Sequence, residues 1–280
     1  MIQLTQMRQR IKAVATTKKI THAMRLIAMS THTILQQKRI ALDVYHQELT
    51  YLFNLLEHLS ATANHAKDTK NPDHRTLVLI VGSQKGLCGP FNTNLLRFFA
   101  QHPAPEAADY IVIGKKAVDH FKNDPRIVHR YETITSTTIA TIARSITRSI
   151  AQATIPYETV LCYNNYPHSF FVQRPIVTTL TSVTPVNQES FAQSYDDYVW
   201  EQPLEELISA LRNQYLQSAI EYQLFNSLLA EQAARFQSMD KATTNAKKIL
   251  ETMQRQYNKA RQEKITKELT ELIGGFKSLG

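Results

Sequence analysis

Glycine and proline are absent from residues 1–71 and again from residues 204–273, whereas all ten prolines and four of the seven glycines fall between Pro72 and Pro203. Glycine costs about 1 and proline about 3 kcal/mol in a helix interior, so two long uninterrupted helices are expected on either side of a compact middle. Seventy residues of α-helix would extend about 105 Å at a rise of 1.5 Å per residue. No globule made from the middle of the chain could cover helices of that length.

The C-terminal segment carries the clearest periodicity. Tyr222, Phe225, Leu229, Gln232, Phe236, Met239, Thr243, Ala246, Leu250, Met253, Tyr257 and Ala260 follow one another in steps of three and four, and only Gln232 and Thr243 among them are polar. A stripe with a mean step of 3.5 residues keeps one side of a helix on a partner helix along its whole length, the mark of a coiled-coil seam. Leu250→Asp would therefore place a charge between helices and is expected to destabilise the pair. The N-terminal segment shows the same step in two patches, Ile20, Met24, Ile27, Thr31, Ile34 and Tyr45, Leu49, Leu52, Leu56, Leu59. An earlier patch, Leu4, Met7, Ile11, Val14, is out of phase with them. Either the seam shifts there, or this end meets something other than its partner helix. Helices from opposite ends of one chain, joined through a domain whose termini lie close together, would pair antiparallel.

The middle alternates strand with helix. Strands are expected at residues 77–81, 110–113 and 159–163, with an extended edge strand at 170–180; helices are expected at about 92–100, from 115 onward, and at 136–152. That order predicts a mainly parallel, Rossmann-like α/β sheet covered by helices. The segments expected are an N-terminal coiled-coil helix over 1–60, a central α/β domain over 72–203 and a C-terminal coiled-coil helix over 204–280. The loop from Gly82 to Asn92 follows a strand and opens a helix, a setting in which backbone amides can hold a phosphate. Its glycines, at 82, 86 and 89, fit neither the Gly-x-Gly-x-x-Gly spacing nor a Walker loop ending in Gly-Lys-Ser/Thr, so it reads as a structural turn.

Few residues are placed for chemistry. Cys88 and Cys162 are far apart, without a Cys-x-x-Cys pair, and the ten histidines include no His-x-x-x-His or His-Glu-x-x-His pattern, which leaves neither a disulfide framework nor a metal site to expect. No histidine near Cys88 in sequence offers a base for a nucleophile. No run approaches the roughly 18 apolar residues of a membrane span. The net charge of +8 is uneven: residues 1–40 hold Arg8, Arg10, Lys12, Lys18, Lys19, Arg25, Lys38 and Arg39 and no acidic residue. Such an arm fits a nucleic acid or an acidic protein surface, or a solvated helix face. As a nucleic-acid contact it lacks aromatic or base-reading elements, and it would require affinity that falls steeply with salt. An enzyme built on the α/β domain would require nucleotide binding there.

Several stretches resemble a known family. Ala233-Ala234-Arg235-Phe236, Met239 through Ala246, Tyr257 through Gln262 and Ile265 through Gly275 are similar to the gamma subunits of F-type ATP synthases. So are Arg10-Ile11-Lys12 with Thr17 through Met24, the central Gly86-Leu87-Cys88-Gly89 with Asn92, and Tyr198-Val199-Trp200-Glu201 before the last helix. These matches fall in the family's order over nearly the whole chain. The resemblance implies a central rotor shaft that couples proton-driven rotation to conformational cycling of the catalytic beta subunits. It implies no catalysis and no cofactor on this chain, ATP, ADP and Mg being held by the alpha and beta subunits. Its implied partners are the alpha–beta ring, the epsilon subunit and the membrane c-ring, with no nucleic acid and no insertion into the membrane.

By the same resemblance Met24, Arg25, Arg235, Lys267 and Thr270 meet the catalytic ring. Gly86, Leu87, Cys88, Gly89 and Asn92 form the central-domain signature, and Tyr198, Trp200 and Glu201 belong to the foot that meets epsilon and the rotor ring. A basic arm opposite acidic loops favours specificity and register. The chain departs from the family at Lys267, where Gln is usual, so that contact is either lost or charge-assisted. It departs also at Gln84-Lys85, in place of Asp-Arg, at Pro90, in place of Gly, and at Phe276, where a small residue is usual. Pro90 fixes φ and removes an N–H, so the turn there must differ. A start at Met1 without a presequence is what a bacterial chain on the cytoplasmic face of its membrane would show, and a processed organelle protein would look similar. The driving ion and the preferred direction of the motor are properties of other subunits.

Overall fold

The computed structural model describes residues 2–63, 75–181 and 204–277. In chain order the elements are α1 (Ile2–Ala63), β1 (Arg75–Val81), α2 (Phe91–Gln101), β2 (Ala108–Ile113), α3 (Lys115–His120), β3 (Ile127–Tyr131), α4 (Ile139–Ala151), β4 (Tyr157–Pro167), β5 (Gln173–Thr179) and α5 (Leu204–Lys277). The two terminal helices contain 62 and 74 residues, as the distribution of helix breakers requires.

The sheet order is β3-β2-β1-β4-β5. The first four strands are parallel, and β5 runs antiparallel to β4. The continuous apolar run of β1 follows from its central place, with helices on both faces. Leu77, Leu79 and Val81 point into one core with Ile111 and Ile113 of β2, Ile142 and Ile146 of α4, and Leu216 through Leu229 of α5. Val78 and Ile80 point the other way, toward Leu95 of α2 and Ala117 and Val118 of α3. β3 has no clear signature in the sequence because Val128, His129 and Arg130 are all exposed on this edge strand. The opposite edge, β5, carries Pro175, a residue that edge strands tolerate because it has no N–H to donate.

The chain divides into two compact units, Met1–Met29 with Arg235–Gly280, and Ser30–Ala234. In the first, Arg8 donates to the Tyr257 hydroxyl (2.8 Å), Thr243 donates to Thr21 (3.0 Å) and Arg25 pairs with Asp240 (2.6 Å). Residue numbers climb along one helix as they fall along the other, so the helices are antiparallel. In the second unit Phe53 stacks on Tyr215 and His46 stacks on Tyr222, while His46 also lies 3.2 Å from Ser218 Oγ, again in antiparallel order.

All twelve expected seam positions of α5 are buried or half-buried. The expectation for α1 needs correction. Ile20, Ile27 and Ile34 are 54%, 64% and 53% exposed, whereas their neighbours Thr21, Ala28 and Leu35 are 9%, 1% and 2% exposed. The seam from Leu4, Met7, Ile11 and Val14 keeps its phase through Lys18, Thr21, Arg25 and Ala28. No shift occurs after Val14. Between Lys18 and Ala28 the inner positions are small or polar, while Ile20, Ile27 and Ile34 lie on the outer side. Tyr45 is likewise exposed, and His46 takes the inward place.

Candidate functional site

The loop after β1 is built around one asparagine. Asn92, in the first turn of α2, accepts from the Ser83 backbone N–H (3.0 Å) and donates to Ser83 Oγ (2.8 Å), while Ser83 Oγ donates to the Lys85 carbonyl (2.8 Å). The Cys88 thiol lies against the same groups, 3.6 Å from Ser83 Oγ and 3.5 Å from the Asn92 amide nitrogen. Cys88 and Phe91 pack on Ala230 of α5, and the Gln84 backbone N–H donates to the buried carboxylate of Glu231 at 3.3 Å. The Ser83 amide, which could have served a phosphate, is thus occupied by the chain's own side chain. Gly89 (φ 60) reverses the chain ahead of Pro90, whose φ of −80 fits its place just before α2. Leu87, with φ 66 and 57% exposure, is a strained apolar tip.

The loop is braced from β2 as well. Gly114 takes φ 90, and a Cβ there would collide with the Gly82 carbonyl, whose own N–H donates to Ile113 O at 2.8 Å. The Cys162 thiol is pushed up to about 12 by burial, which makes it inert as a nucleophile. A cavity of about 490 Å³ beside the C-terminal end of α4 contains Arg75, Asp109 and Tyr157. The Tyr157 hydroxyl there is pushed up to about 12 by burial and by its hydrogen bond to Asp109 (2.8 Å). Among the described residues no cluster of His, Cys, Asp or Glu could hold a metal, and no helix is long and apolar enough to cross a membrane.

The residues singled out on the helices have distinct surroundings. Arg25 is ion-paired with Asp240, its guanidinium 3.3 Å from His22 Nδ1, and Met24 beside it is half-buried. Arg235 is only 7% exposed. Lys267 is exposed and pairs with Glu271 at 3.8 Å, one helical turn on, and the exposed Thr270 donates back to the Thr266 carbonyl. Together with Lys259–Glu263 and Lys264–Glu268, these surface pairs make small contributions to stability. Tyr198, Trp200 and Glu201 lie outside the described residues. Sequence reasoning missed Arg39, Asn164, Tyr166, Gln223 and Glu231, which carry the polar contacts between the helices and the α/β layer; the available signal was the presence of polar residues at positions where a buried helix face or strand calls for apolar ones.

Two long paired helices, with an α/β sheet whose glycine loop is filled by its own side chains, define a stalk-type protein. A family model described as ATP synthase matches residues 3–279. The chain is 30% identical to the ATP synthase gamma chain of Chlorobium phaeobacteroides, across 99% of this chain and 98% of that one. It is 28% identical to the gamma chain of Pelotomaculum thermopropionicum, across 99% of each. Among solved structures, the central stalk and c-ring of Tetrahymena thermophila mitochondrial ATP synthase aligns with a TM-score of 0.61 at 20% identity, covering 80% of this chain and 99% of the other. The Euglena gracilis mitochondrial ATP synthase aligns with a TM-score of 0.56 at 17% identity, covering 95% of each chain; both likenesses concern the fold. The chain belongs to the ATP synthase gamma-chain family. Its role is that of the rotor shaft, a non-catalytic subunit of a complex whose catalysis resides in the beta subunits. The nucleic-acid reading draws no support from these comparisons.

Proposed function

We propose that the shaft works inside an alpha–beta hexamer through Met24, Arg25, Arg235, Lys267 and Thr270, and that it meets epsilon and the membrane c-ring through a foot containing Tyr198, Trp200 and Glu201. Within this reading residues 1–60 and 204–280 are the shaft, and residues 72–203 are the domain that receives the load. The signature Gly86, Leu87, Cys88, Gly89 and Asn92 ties the domain's loop to α5. The chain binds no cofactor of its own, ATP, ADP and Mg belonging to alpha and beta, and it sits peripherally on the cytoplasmic face of a bacterial membrane.

The observation that carries the reading is the outer side of α1. Ile20, Leu26, Ile27 and Met29 are exposed there among basic residues, with no acidic residue before Asp43. Bulky apolar groups left in water on a helix mark a surface that meets another protein, and the surrounding positive charge favours an acidic one. Co-expression with tagged alpha and beta chains tests this directly. The expected product holds one copy of this chain per ring, and the chain rotates against the immobilised ring when ATP is added. Recovery of alpha–beta rings that never retain the chain would rule the reading out.

A further inference from the structure

In the larger unit, helices and sheet meet through two kinds of contact. Most are apolar, such as Leu35 of α1 and Ile220 and Leu224 of α5 in the core with Leu79 and Ile113. Burial of that kind is strong but non-directional, so it resists separation far better than it resists sliding. The second kind is polar and gathers on β4. Successive side chains of a strand point to opposite faces, and Asn165 accordingly donates to the Phe91 carbonyl of α2 at 3.2 Å, while Asn164 and Tyr166 face the long helices. Asn164, fully buried, donates to both the backbone carbonyl (3.2 Å) and Oε1 (3.0 Å) of Gln223 on α5. Tyr166 accepts from Arg39 of α1 at 3.2 Å, so that with Asn164 on Gln223 of α5 one strand grips both helices. Arg39 is itself held by Asp43, 3.3 Å away.

Buried polar groups are a poor way to gain stability, since apolar residues of similar shape do as well or better; their best-attested use is to fix one register. Directional bonds of this kind favour one arrangement of their partners, even though Asn164 Oδ1 itself makes no hydrogen bond among the described residues. We infer that Asn164, Tyr166, Gln223 and Arg39 are positioning residues that lock the angle of the α/β sheet about the helix pair, so that torque entering through the domain turns the shaft without slipping around it. The contact of Glu231 with the Gln84 amide adds a second anchor at the carboxyl end of β1. This rests on the shaft reading and names where, within the chain, the load crosses from sheet to helices.

The assembled complex provides the test. Asn164→Leu with Gln223→Met keeps the side-chain branching and length and removes the directional bonds, while Tyr166→Phe removes only one hydroxyl and its bond to Arg39. Expected are normal assembly, normal ATP hydrolysis and an unchanged or higher melting temperature. The ions moved per ATP hydrolysed should fall, and the angular fluctuation of a probe fixed to the α/β domain should widen. An unchanged pumping ratio together with an unchanged angular width overturns the inference. So does a joint decline of assembly, hydrolysis and melting temperature in Tyr166→Phe, which would make these bonds merely structural. Where the double variant fails to assemble, Tyr166→Phe decides by the same two readouts. A complex with the unaltered chain that neither rotates nor pumps would instead sink the shaft reading itself.

Discussion

The paired helices are built differently in the two units. In the smaller unit the seam mixes small and hydroxyl-bearing residues, Thr21, Ala28, Thr243 and Ala246, with buried Met239, half-buried Leu4, Met7, Ile11, Val14, Phe236, Leu250 and Met253, and a partly exposed Arg25–Asp240 pair. In the larger unit it is aromatic and aliphatic, with Phe53, Tyr215, His46 and Tyr222 stacked in series, and the same helices also cover a sheet. Apolar burial contributes about 25 cal/mol per Å², so a two-helix seam whose positions are mostly half-buried gains little beside helices with a sheet beneath them. The consequence is a division of labour: one stretch holds the fold, and the other leaves Ile20, Leu26, Ile27 and Met29 on its outer surface.

A charge placed in each seam measures that difference. Leu224 is fully buried in the larger unit, and Leu224→Asp should cost about 5 kcal/mol and leave the chain insoluble or unfolded, as read by thermal melting. Leu250 in the smaller unit is only half-buried, so a carboxylate there can reach water. Leu250→Asp is accordingly expected to cost about 1–2 kcal/mol, less than the periodicity alone implies. Equal losses at the two sites would break the contrast.

The second test asks whether the aromatic seam depends on the sheet. Gly114 holds a left-handed φ against the Gly82 carbonyl at the junction of β2 and the β1 loop. Gly114→Ala should cost about 3 kcal/mol through strain and displacement of that loop. Amides of α5 within 216–230 should lose their protection against hydrogen exchange, and those of 243–260 should keep what they have. Uniform loss along α5 would mean that the two units melt as one.

The contrast also explains what could be read from the residues. The seam of α5 was legible because Phe225, Leu229, Met239, Leu250 and Met253 are both apolar and inward-facing. That of α1 was legible at its two ends, where Leu4, Met7, Ile11, Val14 and then Leu49, Leu52 and Leu56 face inward, but not between them, because Lys18, Thr21, Arg25, Arg39 and His46 hold inward positions while Ile20, Ile27 and Ile34 face outward. Hydrophobic periodicity assumes that bulky apolar residues mark the buried side, and a stretch that carries its isoleucines outward, as residues 18–34 do, defeats that assumption. In the sheet, buried β1 and β2 were plain, whereas β3 shows only Ile127 and Tyr131 half-buried. The signature loop was identifiable as a turn from its glycine spacing. That Asn92 fills it and Glu231 anchors it depends on contacts between residues distant in sequence.

A third, smaller effect separates the seams by pH. Burial among Tyr215, Tyr222 and Ser218 lowers the pKa of His46 below 6.5, against the opposing pull of Asp43. The folded state therefore disfavours the protonated ring: its stabilising effect is complete above pH 6.5 and is lost as pH falls from there through the folded-state pKa. His32, packed on Phe170, is shifted in the same direction by burial. Glu221 is raised by burial, partly offset by Arg144, so its effect runs the other way, present below 4.5 and lost as pH rises. Comparing the unaltered chain with His46→Gln isolates the histidine. The variant's melting temperature should fall less between pH 7.5 and 5.5, and parallel curves would show that His46 does not titrate with folding.

The smallest effect belongs to the Arg25–Asp240 pair. Its 2.6 Å contact is short, yet both side chains remain partly in water, at 28% and 44% exposure. Solvent screening and the entropy of fixing two flexible groups leave such pairs worth about 0.2–1 kcal/mol. A double-mutant cycle with Arg25→Ala and Asp240→Ala, followed by urea unfolding of the isolated chain, should return a coupling energy within that range that shrinks as salt is added. A coupling well above it would mean that this polar step holds the slender seam together. Within the range, the pair orients Arg25 at almost no energetic cost to release, and the guanidinium can turn to an acidic partner when one is presented.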